Sequence, residues 1–295
     1  MSWKFGYDSP QAIKMVLKAQ DMAMCKRFGQ NFLISTSMRE KIADALQVEP
    51  GMEVWEIGPG LGSITTLLLE RGGKVTAFEI DHGFCRVLRE SAFVDEAGFE
   101  LVEGDALKTM GERTDIPERI CGNLPYNVGS VILGRIMEGV WRPKRMVFTL
   151  QKEVVQRICA RQGSDDWSTI SILCQMDYDA KCLFDIKPGC FYPEPNVKSA
   201  VLLLEKRNEG RVPPLLKQDF LLLMHDLFAQ RRKTIKNNML RGKCGAVLLR
   251  DGVDAVLEAS GIQATRRAED LSWEELVGLV TAYASYVPNL PSGSR

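Results

Sequence analysis

Short β-rich runs alternate with helical patterns between residues 50 and 161, and nothing else in this 295-residue chain restricts its fold as tightly. Residues 52–57 read as a buried strand, followed by a glycine-rich turn and an apolar helix over 61–70. Further strands are predicted at 74–80, 99–102, 119–121 and 145–150, with helices at 81–90, 128–138 and 152–161. Parallel strands need crossover connections, so this order implies an α/β fold: a mostly parallel sheet with helices on both faces. Past residue 161 the alternation stops, and two β-rich runs at 180–186 and 199–204 close the sheet.

Residues 206–214 shift abruptly to charge, glycine and proline, a linker signature. Only helical patterns follow, at 215–229, 234–240, 251–259 and 273–284, the last opening on Ser272 and Glu275 at capping-box spacing. At the other end, Ser9-Pro10 opens an amphipathic helix through Ala23. The expected organisation is an α/β domain over 1–205, with an N-terminal helical extension, and a small all-helical domain over 206–295.

Charge follows the same division. The chain has 38 basic and 38 acidic residues, so it is no uniformly basic nucleic-acid binder. Yet 206–295 holds 14 Lys and Arg against 10 Asp and Glu, and 231–250 holds seven basic residues and no acidic one. On a helical tail beside an α/β domain, such a block suits a phosphate backbone. No run approaches the roughly 18 uncharged apolar residues of a membrane helix. The N-terminus has neither a signal-peptide nor a transit-peptide profile, so a cytoplasmic protein with no membrane partner is expected. Eight cysteines without a C-x-x-C pair, and two histidines remote from one another, point to no metal and no disulfide scaffold.

Two turns carry the chemistry. Glu56-Ile57-Gly58-Pro59-Gly60-Leu61-Gly62 links strand to helix, and its glycines let a ligand lie against bare backbone. The spacing is G-x-G-x-G, and Pro59 removes an N–H that a diphosphate cradle would use, which disfavours a nicotinamide-dependent oxidoreductase. Twenty-one residues beyond Gly58, Glu79 ends the next strand, where a carboxylate can accept both hydroxyls of a ribose. Asp105, in Glu103-Gly104-Asp105-Ala106, ends the strand after that. A nucleoside with a phosphate-free tail is S-adenosylmethionine in outline.

Gly122-Asn123-Leu124-Pro125-Tyr126-Asn127 follows the fourth strand. Pro125 fixes its own φ and pushes Leu124 toward an extended conformation. The Asn123 amide oxygen and the Leu124 carbonyl then form two acceptors for one exocyclic amine, and Tyr126 offers a stacking face. Adenine N6 is a poor nucleophile because its lone pair is delocalised. Two hydrogen bonds from its protons draw it toward pyramidal geometry, and the oxygen dipoles meet the positive charge that develops. No general base is required.

These residues resemble the ribosomal RNA adenine N6,N6-dimethyltransferase family. Lys26-Arg27-Phe28-Gly29-Gln30-Asn31-Phe32-Leu33 resembles its N-terminal cofactor motif, and the two turns, Phe78-Glu79-Ile80-Asp81 and Gly104-Asp105-Ala106-Leu107 resemble the next four. Gln151-Lys152-Glu153-Val154, the run from Phe191 to Val201, and Gln230-Arg231-Arg232-Lys233-Thr234 resemble later ones. The resemblance implies a Rossmann-like class I methyltransferase fold. It also implies methylation of two adjacent adenines in the 3′-terminal hairpin of small-subunit rRNA, within the small ribosomal subunit or its precursor, by a monomer. Gln30, Asn31, Leu33, Gly58, Gly60, Glu79, Ile80, Asp105, Ala106 and Asn123 are then the cofactor contacts. Asn123, Leu124, Pro125 and Tyr126 are the catalytic turn, with Phe191 as a second aromatic wall around a flipped base. Arg231, Arg232, Lys233, Lys236 and Arg241 are the RNA contacts. The same resemblance leaves two alternatives: a non-catalytic ribosome assembly factor, or an adenine-N6 methyltransferase of large-subunit rRNA.

Overall fold

Val54, Trp55, Glu56 and Ile57 are all buried, so the strand they form has no solvent face, as a central parallel strand requires. The computed structural model describes residues 5–20 and 31–287. Helix α1 (Pro10–Ala19), the short strand β1 (Phe32–Leu33) and helix α2 (Thr36–Leu46) precede that central strand, β2 (Glu53–Ile57). Then come α3 (Thr65–Glu70), β3 (Lys74–Glu79), α4 (His82–Val87), β4 (Phe99–Glu103), α5 (Ala106–Thr109), β5 (Arg119–Asn123), α6 (Gly129–Glu138), β6 (Arg145–Gln151) and α7 (Lys152–Ile158). After α8 (Thr169–Asp177), the strands β7 (Tyr178–Ile186), β8 (Phe191–Tyr192) and β9 (Ser199–Lys206) complete the β structure.

Seven strands form one sheet in the order β4-β3-β2-β5-β6-β9-β7. β4, β3, β2, β5 and β6 run parallel, and β9 pairs antiparallel with β6. Successive strands spread to one side of β2 and then, from β5, to the other. This reversal opens a crevice at the carboxyl ends of β2 and β5, the place where open α/β sheets bind ligands. β1 and β8 form a separate antiparallel pair, with Phe32 opposite Tyr192 and Leu33 opposite Phe191.

Local chemistry explains where elements depart from the sequence pattern. The helix expected over 61–70 begins only at Thr65, because Gly58, Gly60 and Gly62 all take positive φ and a Gly62 N–H bond to the Pro59 carbonyl closes a turn. The helix expected over 81–90 stays regular to Val87 and then widens, the Phe93 N–H reaching back to the Leu88 carbonyl. Three helices, α2, the short α5 and α8, have no counterpart in the sequence pattern. α2 buries Ile42, Ala43 and Leu46, and α8 buries Ile172, Leu173, Cys174 and Met176.

Contacts divide the chain into two units. The first holds the described residues up to Val155 together with Asp179–Lys206. The second holds Gln156–Tyr178 and the described residues from Arg207 onward. The division expected at 205/206 therefore misplaces residues 156–178. Trp167, Ile172 and Met176 bury themselves in one apolar cluster with Phe220, Leu223, Val256 and Leu276. The second unit contains α9 (Lys217–Leu227), α10 (Ile235–Arg241), α11 (Lys243–Ala259) and α12 (Trp273–Tyr286). α11 starts eight residues before the expected position and carries a break at Leu249, at φ 58° and ψ −174°. The capping box at Ser272 and Glu275 is formed. Among the described residues, no helix is long and apolar enough to cross a membrane.

Candidate active site

A cavity of about 370 Å³ occupies the crevice at the ends of β2, β3 and β5. Its rim is built first by the glycine turn. Gly58 at φ 70° and Gly60 at φ 58° bare their backbone, and a Cβ placed on Gly58 would meet no atom within 4 Å. A ligand can therefore lie on that face without displacing protein.

Glu79 organises the turn as well as facing the cavity. Its Oε2 accepts the Gly60 N–H at 3.1 Å, and its Oε1 accepts those of Ile80 at 2.9 Å and Asp81 at 3.0 Å. The residue is only 6% exposed, and burial outweighs these donors, pushing the carboxyl up to about 7. Asp105 caps α5 with Oδ1, which accepts the Leu107 N–H at 3.0 Å. One carboxylate oxygen is thus used structurally and the other can meet a ligand amine.

Glu56 is the functional candidate that the sequence reading quoted but did not assign. It lines the cavity, is 3% exposed, and accepts the Thr65 hydroxyl at 2.6 Å. Burial, with Glu79 nearby as a further cause, pushes its carboxyl up to about 7. An acid within a strand buried along its length was the available signal. Three carboxylates line the cavity, with no Lys, Arg or His among the described lining residues. Such a wall repels phosphate and favours a ligand bearing positive charge.

The turn after β5 is held from two sides. Asn123 donates from Nδ2 to the Asn31 carbonyl at 2.9 Å, which settles the orientation of the amide and leaves Oδ1 as its acceptor end. Leu124 donates its N–H to the Thr149 carbonyl at 3.1 Å, beside the Asn123–Thr149 register pair of β5 and β6. The Tyr126 hydroxyl lies 2.5 Å from the Ser199 hydroxyl, itself fully buried at the start of β9. That bond anchors the ring by its far end. Ser199 had no assigned role in the sequence reading, since only the pairing of distant segments brings it to Tyr126.

Asn31, Leu33, Gly58, Gly60, Glu79, Ile80, Asp105, Ala106, Asn123, Leu124, Pro125 and Tyr126 all line this one cavity. Gln30 lies outside the described residues. Phe191 is not brought into the wall. It is 2% exposed, sits in the apolar core with Leu33, Ile42 and Val201, and is not among the residues that line the cavity. The expectation of a second aromatic wall is corrected accordingly.

In the helical unit, Arg231 donates to the Asp165 carbonyl and pairs with Glu269, and Lys236 pairs with Asp254 at 2.5 Å. Arg232, Lys233 and Arg241 are exposed and form no ion pair among the described residues.

Comparison with known proteins gives a consistent result. The model of the family described as ribosomal RNA adenine dimethylase matches residues 23–284. Ribosomal RNA small subunit methyltransferase A of Treponema denticola is 39% identical over 275 residues, covering 90% of this chain and 92% of that protein. The protein of that name from Borreliella burgdorferi is 34% identical over 288 residues, covering 97% and 98%. Among solved structures, a dimethyladenosine transferase from Plasmodium falciparum aligns with a TM-score of 0.68 at 22% identity, over 85% of this chain and 97% of that one. The 23S rRNA methyltransferase ErmE aligns at 0.60 and 23%, over 85% and 99%. Both share the fold.

Proposed function

The chain belongs to the ribosomal RNA adenine dimethylase family, and from that premise we infer how its cavity performs the reaction. The protein is an S-adenosylmethionine-dependent enzyme that dimethylates N6 of two adjacent adenines of small-subunit rRNA. The cofactor supplies an electrophilic methyl group on a positively charged sulfur.

Each residue's part follows from its surroundings. Glu79 receives the ribose hydroxyls with the lone pairs its three backbone donors leave over. Asp105 receives the adenine amine of the cofactor on the oxygen not used in capping. Gly58 and Gly60 supply the bare face, while Asn31, Leu33, Ile80 and Ala106 complete the walls. Glu56, buried in the cavity wall, draws the ligand's positive charge inward. Asn123 Oδ1 and the Leu124 carbonyl accept the two N6 protons of the target base, which stacks on Tyr126. After transfer the methylated ammonium is acidic enough to lose its proton to water. Arg232, Lys233 and Arg241 contact phosphates, and Arg231 and Lys236 can do so by exchanging their carboxylate partners. With no net charge, the enzyme binds as a monomer to the shape of the assembled small subunit or its precursor.

The carrying observation is the Asn123–Asn31 bond, which turns the amide so that its oxygen is the acceptor. Asn123→Ala should abolish methyl incorporation into undermethylated small subunits while cofactor affinity stays within about tenfold, or roughly 1.4 kcal/mol. Primer extension and calorimetry read the two quantities. Full turnover in that variant would remove the amine-acceptor mechanism.

A further inference from the structure

Residues 5–19 precede the family match, which begins at residue 23, yet they are bonded to the cofactor turn. The Tyr7 hydroxyl lies 3.1 Å from the carbonyls of both Leu61 and Gly62, and 3.1 Å from the Thr66 hydroxyl. Thr66 also donates to the Gly62 carbonyl at 2.9 Å. Beside it, the Asp8 carboxylate accepts the Thr36 hydroxyl at 2.6 Å and the Arg39 guanidinium at 2.5 Å. Arg39 is nearly buried. Its other nitrogen donates to the Leu33 carbonyl at 3.0 Å, and its guanidinium lies over the Tyr7 ring, 5.4 Å from the centroid.

Helix α1 extends the attachment. Ser9 caps it, and Ile13 and Leu17 are buried against Leu61, Phe84 and Val87, with Phe32 and Tyr192 packed alongside. One short segment therefore holds both strands of chain that face the cofactor: the glycine turn through Tyr7, and β1 through Asp8 and Arg39.

A turn with three positive-φ glycines has wide conformational freedom, and a ligand that requires one shape of it loses affinity to that freedom. We propose that residues 5–19 act as a strap that presets the cofactor turn, with Tyr7 as a positioning residue for S-adenosylmethionine binding. The strap rests on the reading of this cavity as the cofactor site. Tyr7 does not line the cavity, and its hydroxyl acts through the carbonyls of Leu61 and Gly62, which are not lining residues either.

Tyr7→Phe keeps the ring and removes only the hydroxyl. In the full-length protein, calorimetry and steady-state kinetics should show Kd and KM for S-adenosylmethionine raised three- to tenfold. At saturating cofactor, kcat should stay within twofold, and KM for small subunits should not move. Thr66→Val should give the same split, and the double variant should be no worse than either single one. Asp8→Ala should weaken cofactor binding through β1, with Asp8→Asn, which keeps an acceptor, restoring most of it. A lowered melting temperature with unchanged cofactor affinity in both Tyr7→Phe and Thr66→Val would overturn the strap. Glu79→Ala separates the two ideas. If it loses affinity while Tyr7→Phe does not, the strap alone fails; if it too binds normally, the cavity reading fails.

Discussion

Glu79 and Asn123 are gripped by backbone: three amides hold the carboxylate, and the Asn31 carbonyl holds the amide. Arg232, Lys233 and Arg241, by contrast, stand exposed in the helical unit with no ion pair among the described residues. The first arrangement suits a ligand of one shape, whose reacting atoms must be placed to within a fraction of an ångström. The second suits a polyanion, where charge matters more than the exact position of any side chain. Rigidity is concentrated where the chemistry occurs.

The strongest way to break this contrast is Glu79→Ala. It removes both ribose acceptors and frees the Gly60, Ile80 and Asp81 amides, so cofactor affinity should fall at least 100-fold, about 3 kcal/mol or more. Calorimetry with near-normal affinity would mean that the turn does not depend on its carboxylate.

A titration sharpens the same point. Glu56 and Glu79 have carboxyls near 7 in the folded, ligand-free state, against 4.5 as the ordinary value. Between those values these two groups hold more protons in the folded protein than in the unfolded one, so the stability they contribute is greatest below about 4.5 and declines as pH rises to 7. The decline is on the order of 3 kcal/mol for each of the two carboxyls, and Glu79→Gln should remove its own share and leave that of Glu56. Cofactor affinity should run the opposite way, rising about tenfold per pH unit up to about 7, because the ribose needs the ionised carboxylate. Thermal melts without ligand, and calorimetry across pH 5–8, test both slopes. Matching slopes in wild type and Glu79→Gln would assign the effect elsewhere.

The smallest expected effect lies in the helical unit. Replacing Arg232, Lys233 and Arg241 by Ala should reduce the salt slope of small-subunit binding by roughly two to three, about 0.7–0.9 per phosphate contact. Arg231→Ala with Lys236→Ala should change it less, since Glu269 and Asp254 already offset those charges. Equal losses from the two sets would show that the ion pairs open on binding.

Much of the cavity was legible in one dimension because its parts are contiguous. A G-x-G-x-G turn after a buried strand needs positive φ, and Asn-Leu-Pro-Tyr stiffens itself, so each motif dictates its own local shape. Glu56 was harder to assign, since strand position alone does not distinguish a structural acid from a ligand-facing one. Phe191 was misassigned because an aromatic at a strand end can turn either way, and only its packing among Ile42 and Val201, distant in the chain, shows the direction. Helix α8 was missed because its apolar residues follow a charged loop and match no regular stripe, yet they complete the core of the second unit.

The amino-acid sequence by itself therefore determined the alternating α/β order, the two turns and the acids at the strand ends, all of which arise from short-range backbone preference and hydrophobic pattern. Only the tertiary structure decided that Ser199 meets Tyr126, that Asn31 orients Asn123, that residues 156–178 join the helical unit, and that Tyr7 reaches the cofactor turn. These pairings join residues far apart in the chain. Their partners are selected by strand register and by the burial of apolar faces, which no local stretch encodes.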